Sequence, residues 1–263
     1  MAEADALQEQ GLTPTPIDAP DGVAVPAAEA GDEKVMTLVD HLSELRNRIV
    51  VVIVAVAIGT AVGFWLAGRI IAFLKAPLQI DKPLVFTGLG DAFFINLKIA
   101  LVFGIIVAMP VILYEVWAFV SPGLTQRERR LARPWVPLAL LFFCLGVAVA
   151  YLILPYASGF LLSFQSADLQ ALITAEAYFG FVSMLFLVFG LAMEFPIVLV
   201  LLSKVGIVSS RALAARRRHA ILVIAIIAAV ATPGGDPVSP VILGVTMYIL
   251  YEVSIQLVRI TGR

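Results

Sequence analysis

Three acids in this sequence stand where a carboxylate has chemistry to do. Glu44 lies in Thr37-Leu-Val-Asp-His-Leu-Ser-Glu-Leu-Arg-Asn-Arg48, Glu128 in Arg127-Glu-Arg-Arg130, and Glu194 in Phe189-Gly-Leu-Ala-Met-Glu-Phe-Pro196. Glu194 is the sharpest of the three. It falls well inside an apolar run, where an exposed carboxylate costs roughly 2.5–3.5 kcal/mol even on lenient insertion scales, so it must face protein or water and a functional role is the default. Glu115, about a turn from the end of another apolar run, reads as an interfacial residue. On periodicity alone, the charges around Glu44 read as a solvated helix face with a positive anchor. His41 and His219 sit at apolar–polar boundaries and read as interfacial, and Cys144, the lone cysteine, reads as a small buried hydrophobe. No phosphate loop, dinucleotide fingerprint, metal-ligand spacing or serine-nucleophile pattern occurs, so the sequence argues for no enzyme, metal, cofactor or nucleic-acid partner.

The elements that must position these acids are membrane helices. With 61% hydrophobic and 14% charged residues over 263 positions, and a mean hydropathy of +1.00, the chain is too apolar for a soluble domain of its length. The expected fold is all-α and polytopic, with spans at about 49–67, 93–120, 136–154, 178–203, 220–231 and 241–257. The last two apolar runs are short, and either cross a locally thinned bilayer or form a re-entrant hairpin. The helix from Thr37 is expected to run straight into the first span. Residues 1–34 hold eight acids before the first lysine, Lys34, with Ala, Pro and Gly, and are expected to be a disordered acidic tail ahead of a membrane domain over 35–263. An acidic start with no apolar core before Ile49 argues against a cleaved signal peptide.

Orientation follows from the basic residues. The bridge between the second and third spans carries Arg127, Arg129, Arg130 and Arg133 against Glu128 alone, which places it on the cytoplasmic side. Across the chain, 14 Lys and Arg fall in the inner segments and three in the outer loops, so both termini are expected inside. The outer loops then include Pro77 and Asp236. The first of them, 68–92, is apolar enough to form a cap on the outer face. From the residues alone two classes stay open: a proton-coupled secondary transporter of a small solute, and a non-enzymatic binding or translocation subunit.

A resemblance decides between them. His41-Leu-Ser-Glu-Leu-Arg46, Pro110-Val-Ile-Leu-Tyr-Glu-Val-Trp-Ala-Phe-Val-Ser-Pro-Gly-Leu124 with Glu128-Arg-Arg130, Phe189-Gly-Leu-Ala-Met-Glu-Phe-Pro196, and Thr232-Pro with Asp236 resemble the TatC family, over about residues 36–258. TatC is the six-span subunit of the twin-arginine translocase. The chain has Pro240 where the family usually carries a glutamine soon after the aspartate. The resemblance implies binding of twin-arginine signal peptides on the cytoplasmic face of the cell membrane. It also implies transport of folded precursor proteins, driven by the proton-motive force, with TatA- and TatB-type single-span partners in a larger complex that holds several copies of the chain in membrane lipid. By position in the motifs, Glu44 and Glu128 match the family's two recognition acids. Phe119 is then expected to pack against the peptide or position the loop, Arg46 and Arg130 to lock the acids or repel lone cations, and Glu194 to contact a partner's membrane helix.

Overall fold

A computed structural model describes residues 38–78, 84–123, 125–126, 129–130, 134–166, 172–204, 206–232 and 236–260. The acidic tail and Glu128 lie outside the described residues. Helix α1 runs Leu38–Lys75, α2 Asp91–Val120, α3 Trp135–Leu162, α4 Ala175–Ala192, α5 Phe195–Lys204, α6 Ser210–Ala215, α7 Arg217–Ala231 and α8 Val238–Ile260, with a 3-10 turn at Ser121–Gly123. Five described segments are long and apolar enough to cross a membrane, α4 and α5 together making one of them.

The helices overrun the boundaries expected from the sequence. The first span was expected to end near Ala67, but α1 continues unbroken to Lys75. Its last turn is held by packing: Leu74 is buried and its carbonyl accepts the Tyr178 hydroxyl at 2.6 Å. Likewise α3 passes through Pro155 to Leu162, because Ala157 and Ser158 beyond the proline are buried and Ser158 Oγ donates to the Leu154 carbonyl at 2.7 Å. The final run also differs from expectation. α8 has 23 residues, about 34 Å of helix, and is not short. Glu252 lies within it, and its two oxygens take Arg217 Nε at 2.7 Å and Nη2 at 2.9 Å. Of these last two runs, α7, at 15 residues or about 22 Å, is the one shorter than a hydrocarbon core.

The buried core lies where α3 and α2 pack on α4 and where α8 meets α5 and α7; Phe143, Leu154, Leu185, Phe189, Leu243 and Ile255 are fully buried there. The α3–α4 crossing is close. A Cβ on Gly190 would sit 2.7 Å from the Phe143 ring, and one on Gly146 would sit 2.9 Å from the Gly190 Cα. Cys144, one residue from Phe143, faces away from this contact and is exposed, which corrects its reading as a buried hydrophobe. α1 is the least buried helix, with Ile53, Ile58 and Trp65 all more than half exposed. It meets α2 where a Cβ on Gly59 would lie 2.8 Å from the Gly104 carbonyl oxygen.

Short polar devices turn the chain between helices. Asp91 Oδ2 accepts from the Thr87 and Gly88 amides at 2.9 and 2.6 Å and closes the turn into α2. The loop after α1 and the loop before α4 join through a parallel bridge, with Val85 N donating to Ile173 O and Ala175 N to Val85 O. α5 ends in a Schellman turn: Gly206 takes φ 86°, its amide donates to Ser203 O, and Ile207 N donates to Leu202 O.

Candidate functional site

The side chains at positions 41, 44 and 48 share one face of α1, and those at 115 and 119 share one face of α2, because residues three and four apart are neighbours on a helix. These two faces meet at the end of the molecule where the chain leaves α2. Arg48 donates from Nη1 to Glu115 Oε2 at 2.7 Å, and from Nε and Nη2 to Glu44 Oε1 at 3.0 and 2.5 Å. Glu44 preceding Arg48 by four residues is the favourable order for a helix pair. One turn further out, the His41 and Phe119 rings stack with centroids 4.3 Å apart and planes 16° from parallel.

Burial makes this cluster more than a surface ion pair. The side chains of Arg48, Glu44 and Glu115 are 24%, 19% and 13% exposed. Charge-assisted bonds at such partial burial are stronger than in open water, and an unpaired charge there costs correspondingly more. Two carboxylates around one guanidinium leave a formal charge of −1 in the cluster. The surplus is localised: Glu44 Oε2 is buried and takes no hydrogen bond among the described residues. Its surroundings therefore suit a further cationic donor.

Of the residues singled out in the sequence, the structure brings Glu44 and Phe119 into this one cluster. Arg46, on another face of α1, and Arg130, beyond the turn that follows α2, are both exposed. Three members of the cluster were not singled out: His41 and Glu115 read as interfacial residues and Arg48 as an anchor. The spacing of 41, 44 and 48, and of 115 and 119, was legible, but not that the two stripes face each other across 67 positions of sequence.

A second polar position lies at the break between α4 and α5. Met193 and Glu194 form a turn, and the Glu194 amide donates to the Leu191 carbonyl at 3.1 Å while its carbonyl accepts from Ile197 and Val198. Pro196 has no amide hydrogen to continue the α4 ladder, which explains why one apolar run becomes two helices. Glu194 is 8% exposed within this chain alone, and its Oε1 takes no hydrogen bond among the described residues. Between α7 and α8, Asp236 is 2% exposed and its Oδ1 accepts the Ser239 amide at 2.7 Å, which caps the start of α8. Its Oδ2 and the Ser239 hydroxyl are buried without a partner among the described residues. Pro77 is half-buried in the turn that follows α1. Among the described residues, no three His, Cys, Asp or Glu side chains gather as metal ligands do.

Comparison with known proteins matches this architecture. The profile of the family described as Sec-independent protein translocase protein (TatC) covers residues 40–245. A TatC from Desulforapulum autotrophicum is 39% identical over 237 residues, covering 88% of this chain and 87% of that protein. A chloroplastic TATC from Arabidopsis thaliana is 37% identical over 238 residues, covering 89% and 70% of the two. A crystal structure titled Twin Arginine Translocase Receptor- TatC in DDM superposes with a TM-score of 0.73 at 35% identity, over 83% of this chain and 99% of that one.

Proposed function

The chain belongs to the TatC family of Sec-independent protein translocase proteins, a multi-pass membrane protein of protein transport, and on that premise we propose that it is the receptor for twin-arginine signal peptides. Glu44, together with Glu128, which follows α2 in the sequence, receives the two guanidinium groups, and Phe119 borders the bound peptide. Recognition takes place on the cytoplasmic face of the cell membrane, where both termini lie. TatA- and TatB-type single-span proteins join the chain, and folded precursors cross at the expense of the proton-motive force. Six crossings follow if α7 spans a locally thinned bilayer.

The observation that carries this reading is that Glu44 and Glu115 already hold a guanidinium, that of Arg48, beside Phe119. A pocket that grips a planar fork with charge-assisted bonds suits arginine, whose fixed geometry lysine cannot reproduce. Co-purification of the chain with a twin-arginine precursor, and with its twin-lysine variant, tests it. The twin-arginine form should be retained and the twin-lysine form lost. Equal retention of both, or of neither, would overturn the assignment.

A further inference from the structure

We propose that Arg48 is a resident competitor for the arginine pocket, occupying the Glu44 carboxylate until an incoming guanidinium displaces it onto Glu115, and thereby setting the affinity threshold of the site. The inference rests on the reading of Glu44 as a recognition acid and adds two residues to it, Arg48 and Glu115.

The bonding pattern is the argument. A fork-to-fork pair uses both oxygens of a carboxylate. Here Arg48 spends both Nε and Nη2 on Oε1 of Glu44, and Oε2 is left buried without a partner among the described residues. Half of the Glu44 carboxylate is therefore uncommitted among the described residues while Arg48 is still in place. The third donor, Nη1, is already on Glu115 at 2.7 Å. A guanidinium entering at Oε2 can take Oε1 next, and Arg48 then falls back on Glu115 alone. No partly buried charge is stranded at any stage, which matters because stranding one is the costly step in opening such a pair.

Two consequences separate this exchange from a purely structural role. The occluded fraction of the site lowers the apparent affinity of every ligand that needs Glu44 by the same factor. Glu115, in turn, helps the ligand only through Arg48, by giving the displaced side chain somewhere to go.

The test is binding of a labelled twin-arginine signal peptide, and its twin-lysine variant, to the full-length chain in mild detergent. Arg48→Gln should tighten both peptides in parallel, by about five- to tenfold if a tenth to a fifth of sites are open in the parent. Glu115→Gln should weaken both, and this loss should vanish in the Arg48→Gln background. If Arg48→Gln does not accumulate, Arg48→Lys, which keeps the charge but loses the fork, should give the same sign with a smaller gain. Unchanged or weaker binding in the Arg48 variant, or a Glu115→Gln loss that persists without Arg48, overturns the exchange. Glu44→Gln is the control for the underlying reading. If it abolishes binding while Arg48→Gln brings no gain, only the exchange fails; if it leaves binding intact, the recognition assignment itself fails.

Discussion

The end of α1 and the break between α4 and α5 each hold a carboxylate in an apolar chain, and they treat it in opposite ways. Glu44 finds Arg48 one turn along its own helix, and Arg48 reaches across to Glu115. Glu194 has no such neighbour one turn away: along α4 and α5 the first lysine or arginine is Lys204, ten residues on at the end of α5. The first acid has Oε1 held by Arg48 of its own chain, so a ligand can take the whole carboxylate only by exchange. The second is buried with one oxygen unused among the described residues, so a partner side chain can reach it by simple addition. On the proposed function, the contrast separates a site that discriminates from a site that docks.

The hardest blow to the first half of that contrast is Glu44→Ala. Truncating one member of a partly buried, hydrogen-bonded charge pair typically costs about 2–5 kcal/mol. The expected outcome is loss of precursor crosslinking by well over tenfold, with the chain still inserted in the membrane. Crosslinking at the parental level in this variant would leave Glu44 with no recognition role.

The second half is sharpened at Glu194. If its carboxyl docks a polar side chain of a partner's membrane helix, Glu194→Gln keeps a hydrogen-bonding group and should retain most export of a folded reporter. Glu194→Ala should lose about tenfold, in line with intramembrane hydrogen bonds of roughly 1–2 kcal/mol. Export equally dead in both variants, at matched protein levels, points instead to proton transfer at this position.

The crossing beside Glu194 offers a smaller effect on stability. Gly190→Ala drives a Cβ to 2.7 Å from the Phe143 ring, which is itself 1% exposed and has little room to move. Overpacking of this kind costs about 1–3 kcal/mol. The unfolding temperature in detergent should fall by several degrees, whereas Gly159→Ala, which meets nothing within 4 Å, should not lower it. Equal melting of the two variants breaks the idea that α3 and α4 are locked at this point.

Smallest of all is Arg217→Ala. Its pair with Glu252 is exposed, with side chains 44% and 32% accessible, and exposed ion pairs are screened by water and salt. Melting and precursor binding should both stay within experimental scatter. A clear loss of either would show that the α7–α8 pair depends on this contact.

The apolar runs alone determined that this is a helical membrane protein and where most of its helices lie, because a bilayer imposes its thickness on each segment separately. They also marked Glu194, since burial at that depth is a property of the segment itself. The motifs around Glu44, Phe119 and Glu128 identified the family. Helix ends were less legible. Pro155 and the stretch after Ala67 read as boundaries, yet buried contacts at Ala157, Ser158 and Leu74 carry both helices on, and packing outweighs local propensity where the two disagree. The facing of Cys144 was not legible either, because the orientation of α3 turns it outward. What only the tertiary structure decided is the cluster of Arg48, Glu44, Glu115, His41 and Phe119. Each stripe was present in the sequence at helical spacing. Their meeting depends on α1 and α2 approaching through Gly59 and Gly104, and a contact between residues 67 positions apart is fixed by that approach and by no local property of either stripe.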